Sequence, residues 1–304
     1  MVDLDARLVA LYDEDNPDGA DSDFYRTLGM SMAARSVIDL GCGTGSLTVS
    51  MADAGMSAVG VDPSTTMLDY AKRRPGADGV TWVLGDSRDL PNVGADYAVM
   101  TGNVAQHIPD GDWQRTLADL HRALRPGGTL AFESRNPAAE AWRAWSAPEH
   151  TIRETTSGSL EEWSEAREIS PGVVRLVAHN TFTDTGEQLS YTEDLFFRES
   201  SELEHQLEHA GFRAEAVYGD WRCGALTDSS QVLVLVATAR WPIGLRDTLE
   251  QEPAPVATAG ASPNGPRARA SMQPDCGRPR CRCRCRCRSA FKTIDELPPG
   301  RRPD

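Results

Sequence analysis

The chain has 304 residues, of which 40% are hydrophobic, and it carries a formal net charge of −14. This length allows one large or two modest domains with a packed core. No run of eighteen apolar residues occurs, which predicts no membrane-spanning helix. The acidic start of the chain also lacks the basic and apolar regions of a secretory signal, so we expect a cytoplasmic protein.

The charge is distributed unevenly. Residues 251–304 hold 11 Lys and Arg against 5 Asp and Glu, which leaves residues 1–250 with a net charge of −20. A body this acidic argues against a nucleic-acid substrate, because phosphate backbones require a basic track. It permits a cationic small molecule such as an amine, but an ordinary solvated surface explains the charge equally well.

The cysteines fall into two groups. Cys42 and Cys223 are isolated, which favours a reduced compartment without a disulfide framework. The others lie in residues 243–304, which are rich in Pro, Gly and Arg and contain a Cys-Arg repeat at 281–288. This composition predicts a disordered low-complexity tail. The Cys-x-Cys spacing is not that of a zinc finger, and we expect no metal site.

In chain order, residues 1–34 come first. Residues 4–14 and 21–34 are predicted to form two short helices, separated by a turn at Asn16–Gly19. Tyr12 and Tyr25 lie on these helices. A lid over a site and helices packed on the edge of a sheet both fit this pattern, and the two are compatible.

A glycine-rich turn follows an apolar run at residues 37–45, Val-Ile-Asp-Leu-Gly-Cys-Gly-Thr-Gly. We predict a buried strand to Leu40, a tight turn and a helix beginning near Thr44. Backbone N–H groups at such a helix start suit a carboxylate or phosphate. The nicotinamide fingerprint Gly-x-Gly-x-x-Gly does not fit, because Ser46 takes the place of its third glycine.

The next three strands each end in polar residues. The second strand is predicted at 58–62 and ends in Asp62, followed by Pro63 and a helix that carries Met67. Asp62 is either a ribose acceptor or a cap for that helix. The third strand, at 80–84, precedes Gly85, Asp86 and Ser87, a sequence that also fits a simple turn. The fourth ends near Thr101 and is followed by Gly102, Asn103 and His107.

The remaining segments complete an α/β pattern. Leu124–Gly128 is predicted to end a helix and turn into a fifth strand, which leads to Glu133, Arg135 and Asn136. Residues 136–145 suggest a short helix. Residues 151–198 contain runs of alternating polar and apolar side chains, separated by turn signals. This pattern predicts three or four antiparallel strands. A helix at 202–210 and strands near 212–219 and 230–239 follow, with Trp221 in the loop between those strands.

These motifs together resemble those of class I S-adenosylmethionine-dependent methyltransferases, most strongly over residues 35–135. The resemblance implies a doubly wound, seven-stranded Rossmann-like sheet with a reversed C-terminal β-hairpin and an antiparallel β insert. The methyltransferase domain would span 35–242, behind a helical lid at 1–34. The insert at 151–198 is similar to that of aminosugar N,N-dimethyltransferases and glycine N-methyltransferases, where it covers the active site or forms a dimer contact. An extra structural sheet is the alternative.

The resemblance also implies a cofactor, S-adenosyl-L-methionine, which becomes S-adenosyl-L-homocysteine, and a set of residues that bind it. Asp62 would bind the ribose, Met67 would pack on the adenine, and Asp86 would accept from the adenine amino group. The loop after the fourth strand would pass under the methionine part. The residues expected to bind the cofactor are Asp39, Gly41, Cys42, Gly43, Gly45, Asp62, Pro63, Met67, Gly85, Asp86, Ser87, Thr101, Gly102 and Asn103.

For catalysis we expect an in-line methyl transfer to N or O of a small molecule, with His107 as candidate base. An ordering role for His107 in its loop is as good an interpretation. Two rival functions are an RNA base methyltransferase, disfavoured by the acidic body, and a non-catalytic protein that binds the cofactor or its product. Asn136 before Pro137 also fits a helix cap. The candidate substrate residues are Tyr25, Arg135, Asn136 and Trp221.

Overall fold

The computed structural model describes residues 3–146 and 150–241. The predicted tail at 243–304 lies outside these residues. The described residues form eleven strands in two sheets. The strands are β1 (Ser36–Leu40), β2 (Ser57–Asp62), β3 (Val80–Leu84), β4 (Ala95–Met100), β5 (Leu124–Arg135), β6 (Thr151–Thr155), β7 (Gly158–Ser170), β8 (Val173–Phe182), β9 (Glu187–Phe196), β10 (Phe212–Tyr218) and β11 (Val232–Ala239).

The larger sheet has the predicted doubly wound topology, with strand order β10-β11-β5-β4-β1-β2-β3. Strands β1 to β5 pair in parallel, whereas β11 pairs antiparallel with both β5 and β10. The reversed C-terminal hairpin is therefore confirmed. The strand order reverses between β1 and β4, which is where ligands bind in sheets of this kind.

Seven helices connect these strands or precede them in the described part of the chain. The sixth shows why they pack on the sheet: Trp113, Leu117 and Leu120 recur at helical spacing and are all buried. The helices are α1 (Ala6–Asp15), α2 (Ala20–Ser31), α3 (Ser46–Asp53), α4 (Thr65–Ala71), α5 (Val104–His107), α6 (Asp110–Ala123) and α7 (Ser200–His209).

The two N-terminal helices have different surroundings. In α2, Phe24, Tyr25 and Leu28 belong to one hydrophobic cluster with strand residues such as Val37 and Tyr97. This helix therefore packs against the main sheet. Helix α1 instead contacts α4 and packs Leu11 against the strands of the second sheet.

The second sheet is antiparallel, with order β6-β7-β8-β9, and it corresponds to the predicted insert. Turns at residues 155–158, 170–173 and 182–187 join neighbouring strands, where the sequence has its glycines. One face buries Val174, Leu195 and Phe197 against Trp142 and Trp145. The insert is thus fixed to the segment that leaves β5.

Two local predictions differ from the structure. Strand β5 already begins at Leu124, because that residue pairs with Ala95 of β4. The pairing of the two strands is then interrupted and resumes between Tyr97 and Thr129. Pro126-Gly127-Gly128 therefore forms a bulge within a strand rather than a turn before one. Residues 136–145 form two 3-10 turns, Pro137–Ala139 and Ala141–Ala144, rather than an α-helix. Among the helices that the structure describes, none is long and apolar enough to cross a membrane.

Candidate active site

A cavity of about 180 Å³ lies at the carboxyl ends of β1, β2 and β4. The motifs that follow these strands reach it together, although they are distant in sequence, because neighbouring parallel strands end at one edge of the sheet. Seven residues that the sequence singled out line this cavity: Gly41, Gly43, Asp62, Met67, Thr101, Gly102 and His107.

The glycine turn keeps the floor of the cavity open. Gly41 has φ of +78°, and a Cβ there would stand 2.5 Å from the Cγ2 atom of Val104, so the turn and α5 approach more closely than any side chain would allow. Gly43 has φ of +54°, and a Cβ there would meet no atom within 4 Å. The open space beside Gly43 therefore exists only because that residue has no side chain.

Asp62 closes one side of the same floor. Its Oδ2 accepts a hydrogen bond from the backbone N–H of Gly43 at 2.8 Å, and its Oδ1 accepts from the N–H of Ser64 at 2.9 Å. Burial raises the pKa of this carboxyl above its ordinary value. A carboxylate has about four lone-pair sites, so two backbone bonds leave acceptors for a ligand that carries hydroxyl groups.

The helix cap that was the alternative role for Asp62 belongs to another residue. Ser64 is the N-cap of α4, and its hydroxyl oxygen accepts from the N–H of Met67 at 3.1 Å. Met67 is buried in the first turn of that helix and lines the cavity.

The loop after β4 is held by a buried carboxyl group. Glu133 of β5 accepts from the N–H of Asn103 at 2.8 Å and from the hydroxyl of Tyr25. Burial raises the pKa of Glu133 to about 7, against the lowering effect of these hydrogen bonds. Asn103 has a left-handed backbone and begins α5. The bond between its N–H and Glu133 thus holds the loop in which Thr101 and Gly102 lie beside the cavity.

Tyr25 corrects an expectation. Its side chain is fully buried among the hydrophobic residues between α2 and the sheet, with its hydroxyl directed to Glu133. It therefore positions a cavity loop through Glu133 and has no surface that a substrate could touch.

His107 and Glu193 form the side of the cavity opposite the glycine turn. The Nδ1 atom of His107 lies 2.7 Å from Oε1 of Glu193, which comes from β9 of the insert. Burial of Glu193 tends to raise its pKa, but the contact with His107 outweighs this effect and the pKa is lowered. Tyr191, two residues earlier on β9, also lines the cavity, and its hydroxyl accepts from the N–H of Asp5 at 3.0 Å.

Helix α1 joins the glycine turn to the insert. Thr44 donates from its hydroxyl to Asp13 at 2.6 Å, and Arg74 pairs with the same carboxylate. At the end of the helix, Asp15 accepts two hydrogen bonds from Arg153 at 2.7 and 2.8 Å. Tyr12, one residue before Asp13, lines the cavity.

Three expected cofactor residues lie close to the cavity but do not line it. Asp39 is buried behind the glycine turn, where its Oδ2 accepts from the hydroxyl of Thr48 at 2.6 Å; burial raises its pKa to about 7. Burial also raises the pKa of the Cys42 thiol well above its ordinary value, which keeps it protonated. Gly45 precedes α3 and lies against the Trp82 ring.

The residues expected on the adenine side make contacts with neighbouring side chains. Asp86 accepts hydrogen bonds from the side chain and the N–H of Arg88, two residues further along the chain, and it caps a 3-10 turn. Ser87 is buried and donates to Asp119 at 2.9 Å. Neither these residues nor Gly85, Pro63 or Asn103 lines the cavity.

The other candidate substrate residues, at the end of β5 and beyond it, contact other parts of the protein. Asn136 caps the turn at Pro137–Ala139 and donates to the carbonyl oxygens of Thr227 and Ser230 at 3.2 and 2.8 Å, which corrects its expected contact with substrate and supports the capping alternative. Arg135 stacks over the Trp145 ring at 4.6 Å. Trp221 packs with the cluster that contains Tyr25.

Sequence reasoning did not single out several residues of the cavity. Glu193 and Tyr191 belong to a strand of alternating polar and apolar residues that contains no motif. Only the position of the insert after β5 indicated a role for this strand. Leu4, Ser64 and Val104 likewise line the cavity without a pattern of their own.

Comparisons with known proteins agree with this architecture. Residues 37–128 match the methyltransferase domain family. The malonyl-[acyl-carrier protein] O-methyltransferase of Enterobacter lignolyticus is 32% identical over 130 residues, which are 41% of this chain and 51% of that protein. The matched part thus spans about half the length of the curated relatives.

Solved structures extend the likeness to the whole described fold. An S-adenosylmethionine-dependent methyltransferase from Clostridium acetobutylicum superposes with a TM-score of 0.66 at 15% identity, over 77% of this chain and 98% of that one. The sugar N-methyltransferase KedS8 from Streptoalloteichus sp gives 0.62 at 21% identity, over 79% and 95%. Residues 37–128 are therefore similar to a methyltransferase domain, and the described part of the chain has a Rossmann-like methyltransferase fold.

Proposed function

We propose that the protein transfers a methyl group from S-adenosyl-L-methionine to a nitrogen or oxygen atom of a small molecule. One observation carries this proposal: the glycine turn, the Asp62 carboxylate and His107 surround a single cavity at the point where the strand order reverses. One half of this cavity offers groups that can bind a nucleoside, and the other half carries acid–base groups.

The residues present fit the cofactor. Asp62 retains acceptor capacity for two ribose hydroxyls, and the space beside Gly43 would be filled by any side chain. Met67 offers a thioether and methyl surface for a flat base. Thr101 and Gly102 would run beside the amino-acid part of the cofactor. Asp86 pairs with the exposed Arg88 and remains our proposed acceptor for the adenine amino group.

When bound, the cofactor supplies a methyl carbon that its sulfonium group makes electrophilic. The chain then has to hold the acceptor atom in line with that carbon and exclude water, and positioning of this kind contributes on the order of 7–11 kcal/mol. Leu4 and Tyr12, from the N-terminal segment, and Tyr191, from the insert, cover the cavity for this purpose.

His107 is the proposed base. Its side chain is 22% exposed and lines the cavity, and its Nδ1 faces Glu193, which leaves Nε2 as the ring nitrogen available to an acceptor. Proton removal by a positioned base contributes roughly 10²–10⁴-fold when the acceptor arrives protonated.

The two rival functions make different demands. An RNA base methyltransferase requires a basic track, whereas residues 1–250 have a net charge of −20. A protein that only binds the cofactor does not need an acid–base pair in its cavity, and the His107–Glu193 contact favours an enzyme over such a protein.

The proposal is tested by incubating the full chain with S-adenosylmethionine and panels of amines, phenols and carboxylic acids, and by measuring S-adenosylhomocysteine chromatographically. We expect product formation that depends on an acceptor and disappears in Asp62→Ala. A protein that binds the cofactor but yields product with no class of acceptor would support the binding-only function.

Two finer expectations accompany this proposal. Cys42 and Cys223 are not joined by a disulfide bond, which supports a reduced, cytoplasmic setting. The outer face of the insert, where the Trp163 ring stacks between His150 and His179, is our proposed homodimer contact. Light scattering on the full chain and on Trp163→Ala tests that contact. We expect a dimer for the unaltered protein and a monomer for the variant.

A further inference from the structure

The two acid–base groups of the cavity come from separate parts of the fold. His107 ends α5, directly after β4 of the main sheet, whereas Glu193 lies in β9 of the insert. Their side chains are 22% and 27% exposed, so both are largely withdrawn from solvent. The 2.7 Å contact between Oε1 of Glu193 and Nδ1 of His107 places a carboxylate directly beside the imidazole.

Arg198 holds this pair in place. It is 3% exposed and follows β9 by two residues. Its guanidinium donates to the carbonyl oxygens of Ala105 at 2.9 Å and Ile108 at 2.7 Å, on either side of His107. The segment that carries Glu193 therefore also anchors the helix that carries His107, and the two groups are preorganised before any ligand binds.

The charge of the cavity restricts the acceptor. Its lining includes the carboxylates of Asp62 and Glu193, and no Lys or Arg occurs among the lining residues that the structure describes. An acceptor with a carboxylate or phosphate beside His107 would meet the like charge of Glu193. A cationic acceptor would instead find a carboxylate whose Oε1 faces His107 and whose Oε2 remains for the ligand.

We propose that Glu193 determines acceptor specificity: it binds an aliphatic amine in its ammonium form beside His107. This inference rests on the proposed function and names the substrate class for that site. The ammonium nitrogen gives one proton to Nε2 of His107, which becomes an imidazolium paired with the Glu193 carboxylate. The nitrogen keeps the electron pair of that N–H bond as its nucleophilic lone pair, and the imidazolium later returns the proton to water.

The test compares two nucleosides by calorimetric titration of the full chain. S-adenosylhomocysteine has a neutral thioether at the transfer position, whereas sinefungin has a carbon that bears a primary ammonium group there. We expect Glu193→Gln to weaken sinefungin binding at least tenfold, with less than about a twofold change for S-adenosylhomocysteine. Glu193→Asp, which keeps the charge, should retain more of the preference for sinefungin.

Asp194→Asn is the matched control. It removes a carboxylate from the next position of the same strand, where Asp194 pairs with Arg175 at 2.7 Å on the other face of the sheet, and it should leave both affinities unchanged. Thermal melting of each variant verifies the fold. If Glu193→Gln does not fold, Glu193→Ala, which also removes the charge, decides by the same comparison, and it should lower only the sinefungin affinity.

Equal weakening of both nucleosides, or an unchanged sinefungin affinity in Glu193→Gln, would overturn the specificity role while leaving the cofactor site intact. If the unaltered protein binds neither nucleoside, the proposed function itself fails, and the specificity role fails with it.

Discussion

The Oδ2 atom of Asp62 lies 2.8 Å from the backbone nitrogen of Gly43 and accepts its hydrogen. This bond joins the end of β2 to the turn that follows β1, and both residues line the cavity. The carboxylate is thereby held in one orientation before a ligand arrives, so its remaining lone pairs have fixed directions. The nucleoside half of the proposed site depends on this relationship.

The first prediction concerns this carboxylate. Asp62→Ala should weaken S-adenosylmethionine binding at least tenfold, because it removes the acceptor of two hydroxyl hydrogen bonds to a charged group. Isothermal calorimetry measures the change. Asp69→Ala, which removes an exposed carboxylate from the neighbouring helix α4, serves as control and should bind normally. An unchanged affinity in Asp62→Ala would remove the ribose assignment.

The second prediction separates two glycines of the turn. Gly41→Ala should lower the free energy of unfolding by about 2 kcal/mol or more, because its Cβ would collide with Val104 and its backbone is left-handed. Gly43→Ala should cost only about 1 kcal/mol, the left-handed strain alone, but it should weaken cofactor binding. Urea unfolding and calorimetry on both variants test this contrast, and the reverse ranking of stability would contradict the geometry.

The third prediction separates binding from turnover. His107→Ala should lower kcat by 10²-fold or more while it changes S-adenosylmethionine affinity by less than about threefold, because a base acts on the acceptor. His205→Ala removes an exposed histidine from α7 and is the matched control. Equal turnover in His107→Ala and the unaltered enzyme would assign His107 an ordering role only.

The fourth prediction is a pH dependence. Burial raises the pKa of Glu133 to about 7, so the folded protein binds this proton more tightly than the unfolded chain, whose glutamate pKa is about 4.3. The stability from this group is therefore complete below pH ~4.3 and is lost as the pH rises towards about 7. Its size is on the order of 3–4 kcal/mol.

Glu133→Gln should flatten this dependence between pH 5 and 8, since an amide does not ionise. Asp39, whose pKa burial also raises to about 7, acts in the same direction, so the slope should decrease without vanishing. Urea unfolding at several pH values measures it. A variant whose stability falls as steeply as that of the unaltered protein would show that Glu133 does not titrate in this range.

The fifth prediction concerns Arg198. Arg198→Leu should lower the free energy of unfolding by about 3 kcal/mol, because the carbonyl oxygens of Ala105 and Ile108 lose a buried charged donor. Arg175→Leu removes a more exposed arginine that pairs with Asp194, and it should cost less than about 1 kcal/mol. Similar losses in the two variants would argue against an anchoring role for Arg198.

Much of the fold could be predicted from the sequence because its signals are local. Apolar runs that end in Asp39 and Asp62, with glycines after the first, specify two strands and the turn between sheet and helix. The seven-stranded sheet, the reversed hairpin and the antiparallel insert are confirmed. Pro126-Gly127-Gly128 was misplaced because whether such a segment turns or bulges depends on the pairing of its neighbours, which the sequence does not show.

The nucleoside half of the proposed site and His107 could be predicted from the sequence, whereas the partner of His107 could not. Gly43, Asp62 and Met67 belong to motifs whose order along the chain fixes their place at the sheet edge. Tyr25 was assigned to substrate, but its phenol is directed inward by Glu133, a contact between distant residues. Glu193 has no motif and reaches His107 only through the way the insert packs on α5.

The most direct test of the account is a calorimetric titration of the full chain with S-adenosylmethionine, with NAD as control. We predict a dissociation constant in the micromolar range for S-adenosylmethionine and no binding of NAD. A folded protein that binds NAD, or that binds neither ligand, would contradict the assignment of Gly43 and Asp62 to an S-adenosylmethionine site.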